Sequence, residues 1–160
     1  MKTFRTNGAV GALLDEYEKA VRELQEVIHE ISQEVLTTVI DPNTPDPHCR
    51  SIQTVLAHVV SAGRNYAVYI RRRQGEPLDF TTPILLDTAS DYLEALDTMF
   101  AFNEQLFADY PDLELETNEA DQKMLVRWGQ LYDVEQLMEH AIVHILRHRR
   151  QIERFLLKLR

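Results

Sequence analysis

From Val10 to Val35, apolar side chains recur every three or four residues: Val10, Leu13, Leu14, Tyr17, Val21, Leu24, Val27, Ile28, Ile31 and Val35. That spacing lays one stripe along an α-helix; a strand would alternate faces every second residue. Asp15, Glu16, Glu18, Lys19, Arg22 and Glu23 fall between the stripe positions and form a solvated face. The pattern predicts a helix over residues 9–39, ending before Asp41-Pro42. Three of the six prolines then crowd into residues 41–47. Proline removes a backbone donor and pushes the residue before it out of helical geometry, so this segment reads as a loop.

The helical period returns three more times. Ser51 can cap a second helix running to about Arg73, with Ile52, Val55, Leu56, Val59, Tyr66 and Ile70 as its stripe. Gly75, Pro77 and Pro83 break that pattern. A third helix is predicted over about 88–109, with Tyr92, Leu96, Met99, Phe100, Asn103, Leu106 and Phe107 at helical spacing. Asp133-Val134-Glu135-Gln136 reads as a capping box that opens a fourth, running to about Leu157. Residues 111–132 are predicted as an irregular connector. Leu113–Glu116 and Met124–Val126 resemble short strands there, but a two-stranded hairpin alone is marginal.

Four such stripes must bury one another, so the expected fold is an all-α four-helix bundle, one domain over residues 1–160. A chain of this length buries enough surface to need no staple. Five glycines are too few for a turn-rich β-sandwich. The net charge of −9 is opposite in sign to that of a typical nucleic-acid binder, and no nucleic-acid partner is expected. Cys49 is the lone cysteine, which excludes a disulfide framework within a monomer and Cys-rich zinc motifs. The N-terminus has no apolar run of signal-peptide length, and no stretch approaches the roughly 18 apolar residues of a membrane span. A cytoplasmic protein with no membrane partner is the expectation.

Three of the six histidines, His140, His144 and His148, lie four apart in the last helix and form a slanting row on its surface. With His144 as the zero of the helical wheel, Leu137 and Phe155 fall near 20°, Ala141 near 60° and Ile145 near 100°. On that wheel His148, at about 40°, points into the core face, His144 sits at its edge, and His140, at about −40°, faces outward. Two imidazoles at i and i+4 can bind one metal ion, but a stable site needs a third ligand from another helix. His58, embedded in Val55-Leu56-Ala57-His58-Val59-Val60, is the candidate. Two blander readings stand beside this one. His58 alone can be a hydrogen-bonded core residue. The helix-four row can belong to a basic, solvated C-terminal face with Arg147, Arg149, Arg150, Arg154, Lys158 and Arg160. His29 and His48 read as uninvolved, and Cys49 as a small loop or cap residue.

Two segments resemble the DinB/YfiT-like superfamily. His144-x3-His148-x2-Gln151-Ile152, preceded by residues 132–141, is similar to its last helix. Arg50-Ser51-Ile52-Gln53-Thr54-Val55-Leu56-Ala57-His58 is similar to its second. Many members carry His-His-Arg-Gly-Gln near the end of the last motif; here it reads His148-Arg149-Arg150-Gln151, without the glycine. The resemblance implies up-down-down-up connectivity and a divalent metal, typically zinc or nickel, held by three side chains with at least one position open. These correspond to His58, His144 and His148. It also implies use of that open position to activate a low-molecular-weight thiol such as bacillithiol or mycothiol, although some relatives are described only as damage-inducible.

The functional expectation is therefore a metal-dependent enzyme acting on a small molecule, either a thiol S-transferase or a hydrolase. Tyr66, Asn65 and Trp128 are candidate pocket residues by position. The alternative is a non-catalytic stress-response or binding module with a vestigial metal site. A homodimeric scaffold is a further alternative, for which Phe100, Phe102 and Phe107 supply spare aromatic surface.

Overall fold

The computed structural model describes residues 3–159; Met1, Lys2 and Arg160, the last counted above in the basic face, lie outside them. The fold is all-α, with helices α1 (Gly8–Ile28), α2 (Gln33–Thr37), α3 (Ile52–Arg73), α4 (Ala89–Asp109) and α5 (Val134–Lys158). A small hairpin, β1 (Met124–Leu125) and β2 (Leu131–Tyr132), precedes α5. The four long helices make the bundle: α1 packs on α4 and α5, and α3 packs on the same two. Their stripes meet in one core that includes Tyr17, Leu24, Leu56, Ile70, Tyr92, Leu96, Leu137 and Ile152.

Each long helix after α1 begins with the reciprocal cap its sequence offers. Ser51 pairs with Thr54, Thr88 with Asp91 and Asp133 with Gln136, so orphan backbone donors at each start are satisfied. Gly63 of α3 faces a crowded part of the core. A Cβ there would lie 2.5 Å from Met99 Sδ and 3.1 Å from the Tyr17 hydroxyl, so a side chain at this position would force those groups to shift. Further along α3, the buried Arg71 guanidinium donates to Glu76 at 2.8 Å and to Asp109 at 2.7 Å, tying the end of α3 to that of α4.

Three expectations need correction. The helix predicted over 9–39 is interrupted after Ile28. Ser32 takes extended geometry, its hydroxyl accepts from Val35 N at 3.2 Å, and a new helix starts. After the turn, α2 buries Leu36 and packs against α3. The connector contains a hairpin, but Leu113–Glu116 is not one of its strands; Met124 pairs with Tyr132 and Leu125 with Leu131. Phe100 and Phe107 are buried in the core, and Phe102 is partly buried beneath the Arg64 and Arg71 guanidinium groups, so two of the three aromatics expected as spare surface are core residues. Among the described residues, no helix is long and apolar enough to cross a membrane.

Candidate metal centre

His148, which the helical wheel turns inward, and His144, which it sets at the edge of the core face, meet His58 across the α3–α5 contact. His58 Nε2 lies 2.9 Å from His144 Nε2, and His148 Nε2 lies 3.2 Å from the same atom. Among the described residues, His58, His144 and His148 form the group of ligand-type side chains close enough together to hold a metal ion, their ligand atoms all within 4.8 Å of one another. The i, i+4 pair is set by the pitch of α5, and His58 is brought opposite by the packing of α3 on α5.

The surroundings favour uncharged imidazoles. Burial, then the neighbouring His148 and His48, pushes His58 down to about 4. Burial, then His148 and His58, pushes His144 down to about 2. Burial also lowers His148, against the opposing effect of its hydrogen bond to Gln151. His148 Nδ1 lies 2.9 Å from Gln151 Oε1, an acceptor, which favours the tautomer with its proton on Nδ1 and the Nε2 lone pair toward the cluster. One proton shared between His58 and His144 would satisfy one short contact and leave His148 facing a nitrogen. A divalent cation satisfies all three lone pairs, so the donor set fits one.

Three residues take places that sequence reasoning missed. His48 is not remote: its ring stacks on His58 at 5.2 Å and 22°. It reaches there from the short 3-10 turn Pro47–Cys49, whose start is fixed by Asp46 Oδ1 accepting from His48 N at 2.9 Å. His140 stays outside the triad but does not simply face outward. It is half-buried, stacks on Trp128 at 5.0 Å, and approaches His144 at 6.2 Å. Gln151 belongs to the recognised motif, yet its grip on His148 is a feature of folded geometry.

The other candidates divide. Tyr66 stands edge-on to His144 at 5.7 Å and to His140 at 5.4 Å, and Trp128 joins the same cluster of rings. Asn65 turns away and holds the segment after α3, donating to Thr81 O at 2.8 Å and accepting from Thr81 N at 2.9 Å. His29 contacts Glu26 O at 2.7 Å and no member of the triad. Cys49 donates to Asp46 Oδ2 at 3.5 Å, and burial pushes its thiol pKa up, which disfavours a reactive thiolate.

Fold and site together define an all-α bundle whose core carries a three-histidine group able to take a divalent ion. The family model of the DinB superfamily matches residues 16–152, and the chain belongs to that superfamily. No curated protein matches the chain.

Proposed function

We propose that this protein is a metal-dependent enzyme in which His58, His144 and His148 hold one divalent ion, zinc or nickel, and leave it a position for a small-molecule nucleophile. The observation that carries the reading is the convergence of three imidazoles from two helices, their ligand atoms all within 4.8 Å of one another, in surroundings that favour the uncharged form of each. Catalytic zinc sites keep three protein ligands and an open position, whereas structural sites are closed by a fourth. Held by the neutral imidazoles of His58, His144 and His148, a divalent ion would keep its full charge and would supply the acidification of a thiol or water at neutral pH.

The chain's own residues prepare that position. Burial keeps the imidazoles unprotonated, Gln151 fixes the tautomer and ring angle of His148, and His48 covers one face of His58. The nucleophile is the thiol of a bacillithiol- or mycothiol-like cofactor, giving S-transfer, or water, giving hydrolysis. Metal analysis of the purified protein and zinc titration of the chelator-treated protein test the core of this reading. His58→Ala, His144→Ala and His148→Ala should each abolish stoichiometric binding, while His140→Ala retains it. Full binding that survives His144→Ala or His148→Ala would refute the ligand set.

A further inference from the structure

On the side of α3 turned away from the three histidines, a groove of about 460 Å³ runs between α3 and α4. Counted from His58 at about 100° per residue, Val60 and Arg64 lie roughly 160° and 120° round the helix, so this surface is separate from the metal centre. Val60, Leu86, Ala95 and Met99 give the groove an apolar floor. Ile84 and Leu85, next to Leu86 in the chain, are 70% and 57% exposed and carry that apolar surface past its edge.

The two ends of the groove are opposite in charge, and neither charge is met within the chain. At one end the Arg64 guanidinium lies over the Phe102 ring at 4.7 Å. Its side chain has no hydrogen bond or ion pair with any described residue, and its Nη1 is buried without an acceptor. A guanidinium carries five N–H donors, and a ring face does not satisfy them as a carboxylate does. At the other end the Glu94 carboxylate is exposed and also has no hydrogen bond or ion pair among the described residues. Asp91, beside it, is already engaged, accepting from Thr88 N at 3.1 Å and Thr88 Oγ1 at 2.7 Å. Residues 94 and 102 stand eight apart on α4, which sets the two ends about 12 Å from one another. Ala95 and Thr98 line the stretch between them and are short enough for another helix to lie close.

This pattern narrows the choice of occupant. An anionic ligand that met Arg64 would face Glu94 and Asp91, a cationic one would face Arg64, and an uncharged one would leave both charges unmet. A second copy of the chain meets both. A two-fold axis through the middle of the groove reverses the direction of α4 in the second copy, which lays each Arg64 against Glu94 of the other. Isologous interfaces need this kind of self-complementarity, in which a patch supplies what the same patch lacks.

We infer that the chain forms a two-fold dimer through the α3–α4 groove, held in register by reciprocal Arg64–Glu94 pairs. The apolar floor and the Ile84–Leu85 shoulder supply buried area, and the charges fix the register, because a slide along α4 would separate each pair. Phe102 takes part as the platform beneath Arg64. The inference does not draw on the metal-centre reading.

Sedimentation equilibrium of the full chain tests it. The wild type should be dimeric at micromolar concentrations. Arg64→Glu and Glu94→Arg each set like charges against one another and should weaken dimerisation about tenfold or more. An equal mixture of the two variants should form dimers again, because every reversed charge then meets its opposite in the other chain. Thermal melts show whether each variant is folded. Glu94→Arg alters an exposed side chain, so loss of dimers in that variant is a test that does not depend on how Arg64→Glu folds. A monomeric wild type, a dimer untouched by Glu94→Arg, or two folded variants that stay monomeric when mixed would overturn the inference.

Discussion

Lowering the pH from 7 to 5 should destabilise the metal-free protein through its buried imidazoles, by an amount that can be worked out. In the unfolded chain a histidine titrates near its ordinary value of about 6.5. In the folded protein burial holds His58 near 4 and His144 near 2, so neither takes up a proton at pH 5. The folded pKa lies below the unfolded one. The contribution of each imidazole is therefore complete above the unfolded value and is lost progressively as the pH falls from there toward the folded one. Between pH 7 and 5 the unfolded state gains about 2 kcal/mol per such imidazole. Solvent reaching the half-buried His58 reduces its share, which leaves roughly 3 kcal/mol for the two together. At a urea slope of about 1–3 kcal/mol per molar, the unfolding midpoint should fall by roughly 1–3 M. Urea denaturation at the two pH values, with chelator present, measures this. Paired curves for His144→Ala should show about 2 kcal/mol less pH dependence, since its imidazole is the most deeply buried of the three. A wild-type difference under about 1 kcal/mol, or one unchanged in His144→Ala, would refute the assignment of neutral buried imidazoles.

Gln151→Ala should lower zinc affinity by about 10- to 100-fold, with Gln151→Glu recovering most of it, because the side-chain oxygen at 2.9 Å from His148 Nδ1 sets that ring's tautomer; competitive chelator titration reads the change. Chelation of the loaded protein should lower its Tm without unfolding it at room temperature, since an ion at a hundredfold excess over Kd adds only about 2.7 kcal/mol to a bundle with its own core; complete unfolding would identify a structural ion. Gly63→Ala should cost about 1–3 kcal/mol, because its methyl meets Met99 Sδ at 2.5 Å where three helices converge; thermal melts measure it, and a neutral result would mean Met99 swings aside freely.

The bundle and its three-histidine group are legible in the sequence because both depend on helical period. The wheel that turns His148 into the core face and sets His144 at its edge is the same arithmetic that places Leu137 and Ile145 in the core, although His144 proves the more deeply buried of the two. Phe100 and Phe107 stand in the stripe of α4, and the stripe proves a better guide to their burial than their size. Period also misleads. The spacing of Val27, Ile28, Ile31 and Val35 continues across the break after Ile28, and Ser32 is easily passed over as an interior residue although it is a good cap. Strands of two residues have no room to show alternation, so the partner of Met124–Leu125 is not readable. His48 and Trp128 reach the site from a loop and a hairpin, where no periodicity fixes direction. Their stacking on His58 and His140 comes from contacts distant in sequence.

Two of the three converging nitrogens come from one turn of α5, and the third from a residue 86 positions before His144. The histidines therefore differ as a pathway even where they are equal as ligands. His144 and His148 are set side by side as soon as α5 is helical, while His58 joins them only when α3 lies against α5. If these three hold an ion as proposed, the first two donors would be available before the bundle closes and the third only after it, so metal exchange would depend on how often the seam between those helices opens as well as on the strength of each nitrogen–metal bond.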